Sequence, residues 1–275
     1  MPRGKRRKKR KRSKLDSRVN YELRQDGAFV VEGYNWAPAQ SNFLPGIAGP
    51  WGVPLWAYYV NRGQGMASVG LGDKDGQILP FESFNLACDS VTRRGFRTFL
   101  RVKKKELHEP FRKTDDTRVT QRMVQKAGEL HLEEQNVVLG LDTRVTYYTV
   151  PNYPYGLFVR VMKLKNTTNE DLYCEVLDGL ARVIPHGVGY ERSVFIARHI
   201  EAMMGVRRTE GAALFRLNQT AADSEQVAAI SGGNVYIPLL NGKKAKEELL
   251  VDPEAVFGDP VTYERPWTFE RAGLK

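Results

Sequence analysis

From Ala28 onward apolar and polar residues alternate with a period close to two, and turn residues break the alternation every few positions. Successive side chains of a strand point to opposite faces, so this period marks half-buried β-structure. It predicts strands at Phe29–Glu32, Leu55–Val60, Met66–Leu71, Gln77–Phe81 and Phe96–Val102. Further strands are predicted at Glu129–Glu134, Val137–Leu141, Arg144–Val150 and Leu157–Lys165. Asp75-Gly76 is a tight-turn signal. Asn166–Asp171 (NTTNED) reads as the polar loop of a hairpin whose second arm is Leu172–Leu177. Strands resume at Ala212–Leu217, Val227–Ile230 and Val235–Leu240.

Helical periodicity is scarce. Glu191–Met204 puts Val194, Ile196, Ala197, Ile200, Met203 and Met204 on one face, with Gly205 as a stop. Its Val-Phe-Ile centre suits a strand and loop equally well. The tail from Asp252 holds Pro253, Pro260 and Pro266 and reads as an extended linker. Many short strands, frequent turns and few helices predict an all-β chain, a large antiparallel β-sandwich. No internal repeat of propeller or solenoid length is present. The expected division is a basic arm over residues 1–15, a β-sandwich over 16–250 and a linker over 251–275.

Charge changes the picture at one end only. The formal net charge is +10, but residues 1–14 hold ten Lys or Arg and no acid. Removing those ten from the chain's 42 leaves 32, against 32 Asp plus Glu, so the body is formally neutral. Like charges with nothing apolar to bury predict a disordered arm. Residues 3–14 are a candidate contact for a polyanion such as nucleic acid, and a solvated tail is the alternative. No apolar run follows the arm, which excludes reading it as a signal peptide, and no stretch has the length of a membrane span. The two cysteines, Cys88 and Cys174, are too few for a disulfide scaffold and read as buried free thiols. A cytoplasmic chain with no membrane contact is expected.

Candidate chemistry concentrates in Asn42–Arg101. Here Trp51, Trp56, Tyr58, Tyr59 and Phe81 lie among Asn42, Asn61, Arg62, Gln64 and Asp73. Rings stack on sugar faces while amides and guanidinium groups bind hydroxyls, so the mixture suits a carbohydrate-facing surface. Trp51, Asn61, Arg62 and Gln64 are the leading candidates. Asn42, His186 and Glu191 are weaker ones, the last two as an acid/base pair on a sugar ring. Alternation along a strand could equally bury Trp56 and Tyr58 in a core. Gly63-Gln-Gly65 lacks both the third position of a dinucleotide fingerprint and a following helix. No His, Cys or Glu spacing marks a metal site, no carboxylate spacing marks a glycosidase pair, and no GxSxG is present. No cofactor, metal or catalytic residue is therefore assigned.

The segments NFLPGIAGPWGVPLWAYYVNRGQGMASVG, DKDGQILPFESFN, GFRTFLRV, YGLFVRVMKLKNTTNEDLYCEVLDGLARVIPHGV and VDPEAVFG resemble the N-terminal region of 1,2-β-oligoglucan phosphorylases. Those enzymes are related to cellobiose phosphorylases, in glycoside hydrolase family 94. The resemblance spans about Tyr34 to Phe257. It implies a galactose-mutarotase-like super-sandwich that packs on a helical (α/α)6 barrel and supports a homodimer. It also implies that the general-acid Asp and the phosphate site belong to that barrel, outside this sequence. On that basis the chain is expected to bind β-linked glucan oligosaccharide, with a barrel partner in cis or trans, and not to phosphorolyse glucans alone. The alternatives are a stand-alone carbohydrate-binding module, a polyanion-binding protein working through its arm, and a mutarotase-like enzyme using His186.

Overall fold

A computed structural model describes residues 16–44, 48–103, 107–195, 200, 202–218, 229–245, 249–258 and 262–269. The basic arm (residues 1–15) and His199 lie outside the described residues. In chain order the elements are β1 (Asn20–Leu23), β2 (Phe29–Glu32), β3 (Ser41–Leu44), β4 (Leu55–Val60), β5 (Met66–Leu71), β6 (Gln77–Leu79), α1 (Phe84–Arg94), β7 (Phe96–Val102), β8 (Leu107–His108) and β9 (Val119–Gln125). They continue with β10 (Glu129–Asn136), β11 (Leu141–Val150), β12 (Leu157–Asn166), β13 (Cys174–Leu180), α2 (Tyr190–Phe195), β14 (Met204–Thr209), β15 (Ala212–Leu217), β16 (Asn234–Tyr236), β17 (Leu239–Leu240), β18 (Lys243–Lys244) and α3 (Pro253–Phe257). The chain is predominantly β, in several antiparallel sheets. A six-stranded sheet runs β1-β2-β9-β10-β11-β12 and a four-stranded sheet runs β3-β4-β5-β6. Smaller sheets are β13-β7-β8, β14-β15-β16 and β17-β18. Among the described residues no helix is long and apolar enough to cross a membrane.

The two larger sheets bury one face each in a common core. The six-stranded sheet contributes Val31, Met123, Leu130, Leu132, Val145 and Tyr147; the four-stranded sheet contributes Leu55, Ala57, Tyr59, Met66, Val69 and Leu79. Full burial of a side chain such as Leu130 or Leu132 contributes roughly 1.5–3 kcal/mol. That buried face changes character along the strands. Leu132 stands opposite Met123 on β9 and Val145 on β11; two residues on, Glu134 stands opposite Gln121 and Thr143. All three polar residues are buried. The same period-two row therefore passes from an apolar core into a polar seam.

Several predicted elements take another form. Val137–Leu141 is not a strand: Val137 to Gly140 make the turn between β10 and β11, with the Leu139 N–H donating to Asn136 Oδ1 at 3.0 Å and Gly140 at φ 64°. The polar loop after Asn166 does not close a hairpin. β13 leaves the six-stranded sheet and pairs with β7, from Cys174 opposite Val102 to Leu180 opposite Phe96. The predicted Glu191–Met204 helix is helical at every described position up to Met203, as α2 over Tyr190–Phe195 and again at Ile200, Ala202 and Met203, while Met204 already belongs to β14; residues 196–199 and 201 lie outside the described residues. Of Val227–Ile230, residues 227–228 lie outside them too, and the rest is not strand.

Helix α1 was not predicted. It buries only Ala87 and Val91, against Val60 and Ala67, so its apolar stripe is too thin to register as a period. Arg93 and Arg94 in its last turn complement the helix dipole. Cys88 on α1 and Cys174 on β13 are free and half-buried, and burial raises both thiol pKa values.

The tail, predicted as extended, folds in its described part. Asp252 caps α3 by accepting the Glu254 N–H at 2.9 Å, and Gly258 closes it at φ 69°. Val256 and Phe257 pack on Phe99 of β7. Arg97 of β7 donates to the carbonyls of Tyr263 and Glu264, and Arg101 to that of Phe269.

Candidate functional site

The turn between β4 and β5 carries three of the four leading candidates, and it faces inward. Asn61 is 0% exposed. Its amide nitrogen donates to the carbonyls of Tyr34 (3.1 Å) and Pro38 (2.9 Å), and its oxygen accepts the Gln40 N–H at 2.8 Å. Arg62 donates to the carbonyls of Asn61 (2.7 Å) and Ala37 (3.0 Å). The irregular 34–40 segment has carbonyls that no sheet ladder satisfies, and these two side chains supply the donors. These bonds give both side chains a structural role in the fold.

Gln64 joins a second buried network. Its Nε2 donates to Thr98 Oγ1 at 3.0 Å, and its Oε1 accepts from Arg160 at 2.7 Å. Arg160 on β12 also donates two bonds to Asp178 on β13, at 2.6 and 2.8 Å. Burial works against the guanidinium charge and the Asp178 carboxylate outweighs it, leaving the group above its ordinary value. Phe96 packs against the guanidinium, 5.0 Å from its ring centre. Tyr147 and Tyr236 lie in the same electrostatic neighbourhood, and burial pushes the Tyr236 phenol up to about 12. The set braces the six-stranded sheet to β7 and β13. Gln64 therefore has a structural role, although it also borders a small cleft of about 170 Å³.

Trp51 has the opposite setting. It is 79% exposed, on the loop before β4. That loop is tied to the one between β11 and β12. Trp51 N–H donates to Asn152 Oδ1 at 3.1 Å, Val53 N–H donates to the Tyr153 carbonyl at 3.3 Å, and Asn152 N–H donates to the Ala48 carbonyl. A Cβ at Gly52 would overlap the Ala48 carbonyl oxygen, so the close approach requires glycine there. The second loop carries two more exposed rings, Tyr153 and Tyr155, with centroids 6.0 Å apart. Their sequence signal was an aromatic pair punctuated by proline, Asn152-Tyr-Pro-Tyr-Gly156.

The remaining candidates are dispersed. Asn42 is exposed on the edge strand β3, its Oδ1 accepting the Phe43 N–H at 2.8 Å. Trp56 is half-buried, its indole donating to the Asp73 carbonyl at 3.2 Å and its ring edge-on to Phe81. His186 and Glu191 are both exposed. His186 is held through its backbone, which bonds to Phe215 and Leu217. Among the described residues no hydrogen bond or ion pair joins His186 to Glu191, so the expected acid/base pair is not assembled. His131 of β10 is buried, and burial lowers its pKa. Among the described residues no group of His, Cys, Asp and Glu is arranged to hold a metal ion. Neither family models nor curated proteins give a match to the chain.

Proposed function

We propose that the chain is a non-catalytic, carbohydrate-associated β-sandwich of the mutarotase-like class, of the kind that precedes the barrel of β-glucan phosphorylases. In this reading its ligand is a β-linked glucan, and β-1,2-oligoglucan is the first choice on the resemblance. The carrying observation is the trio of exposed rings, Trp51, Tyr153 and Tyr155, on two loops tied to each other. Rings held on braced loops offer stacking area at little entropic cost. The common core of the two larger sheets is consistent with a sandwich. The exposed Val235, Ile237, Leu239 and Leu240 are consistent with a barrel partner, in cis or trans.

Calorimetric titration with β-1,2-glucan oligosaccharides tests the reading, with tryptophan emission as a second readout. Saturable binding with a change in Trp51 emission is expected, and no binding to any β-linked glucan would overturn it. A second reading rests on the ten cations of residues 1–14. It predicts polyanion binding that weakens steeply with salt and disappears when those residues are deleted.

A further inference from the structure

A cleft of about 540 Å³ opens where the polar end of β10 meets β8 and the segment around Glu264. This lies within the ~300–1,000 Å³ range of small-molecule sites. At its wall the buried Glu134 of the six-stranded sheet meets His108 of the β7 sheet. Glu134 Oε2 accepts the Phe111 N–H at 2.6 Å and the Gln121 amide at 2.7 Å. Gln121 in turn accepts from Asn35 at 2.9 Å, so the carboxylate is anchored to the polar seam of the core. Both of these donors converge on Oε2, and Oε1 lies 2.6 Å from His108 Nε2.

The Asn136 amide nitrogen also lies 3.4 Å from Nε2; a carboxylate at Oε1, as the closer partner, would hold the imidazole proton on Nε2 and leave Nδ1 of the neutral ring with an acceptor lone pair. No described residue hydrogen-bonds Nδ1, and the side chain is 23% exposed. The rest of the cleft mixes its chemistry. Glu109, Asp116 and Glu264 bring carboxylates, Arg112, Lys113 and Arg265 bring cations, with Asp116 paired to Arg118 and Arg112 to Glu109, and Val138 and Leu139 bring apolar surface. A charged ligand would meet its own sign somewhere on these walls. A neutral polyol can donate to the carboxylates, accept from the guanidinium groups and lay C–H surface on the aliphatic side chains.

We infer that this cleft binds a small neutral polyhydroxyl molecule of mono- or disaccharide size. Nδ1 of His108 accepts a ligand hydroxyl, and Glu134 is the positioning residue that fixes the ring. The site is separate from the Trp51 loops and does not depend on them.

The test uses the full chain labelled at histidine with ¹⁵N, titrated with D-glucose, the β-1,2-linked glucose disaccharide and glucose 1-phosphate. Expected are a free-state Nε2–H tautomer for His108, a saturable shift of its Nδ1 with both neutral sugars, and weaker binding of the phosphate. His108→Phe keeps a ring in place and should weaken neutral-sugar binding about tenfold, the scale of one lost buried hydrogen bond. Glu134→Gln presents an amide donor to Nε2 and should move the proton to Nδ1, with a similar loss of affinity. A role confined to packing would not reverse the tautomer. The inference falls if wild-type His108 carries its proton on Nδ1, if neither neutral sugar shifts it, or if glucose 1-phosphate binds more tightly than glucose. It also falls if Trp51→Ala abolishes all sugar binding while His108→Phe changes none. The wild-type titration decides the matter even where a variant does not fold. Loss of glucan binding at the loops with the His108 shifts intact would sink the loop reading alone.

Discussion

Two glycine-punctuated segments on either side of β4 have opposite fates. Gly49 to Gly52 forms an exposed loop that lifts Trp51 into solvent, whereas Asn61 to Gly65 forms a buried turn whose amides and guanidinium hold the chain together. Composition does not separate them, since both mix glycine with groups that suit a ligand. What separates them is the neighbouring backbone. The 34–40 segment passes beside the second turn and its carbonyls need donors, so side chains that could bind hydroxyls bind the protein instead. The first segment meets another loop, and that contact is satisfied by Asn152 and backbone bonds, which leaves the rings outside.

The largest effect should come from the network behind the buried turn. Asp178→Ala would leave the buried Arg160 charged without its carboxylate, and a loss of about 3 kcal/mol, the low end for a buried pair because the Asp178 side chain is 25% exposed, is expected in urea unfolding. A loss under ~1 kcal/mol would show that the brace is not what holds β12 to β13.

Next comes Asn61→Ala, which removes three bonds to backbone groups and should cost about 2–3 kcal/mol. If that variant instead keeps its stability and loses glucan binding, the contrast between the two segments is reversed.

Alkaline pH tests the same interior. Burial pushes the phenols of Tyr59 and Tyr236 up to about 12. An unfolded tyrosine ionises near 10, so the unfolded state releases protons first as pH rises. Stability from these groups should be full below pH about 10 and fall between about 10 and 12. Urea midpoints followed with phenolate absorbance at each pH check this, and a midpoint flat through that window would contradict it.

The smallest stability effect belongs to the exposed loop. Trp51→Ala should change unfolding by no more than ~0.5 kcal/mol while weakening β-1,2-glucan binding about tenfold. An unaltered affinity would remove Trp51 from the site.

Period two, turn residues and the confined charge run were readable along the chain because each is a local property. Phe29–Glu32, Leu55–Val60, Met66–Leu71, Phe96–Val102 and Ala212–Leu217 are strands with the predicted bounds, and the predominantly β character followed from them. Trp51 could be singled out because glycine and proline flank it. The structure alone decided what each strand pairs with. β13 turns away from β12 to join β7, because register depends on where a buried face finds its partner, and residues far apart in sequence supply that face. The same holds for Glu134 and His108, separated by 26 residues and brought to 2.6 Å by two different sheets. No local pattern encodes that distance. Burial likewise gave Asn61 and Gln64 partners within the protein, and nearby carbonyls did the same for the half-buried Arg62, since a polar side chain enclosed by protein bonds to whatever donors and acceptors the fold places beside it.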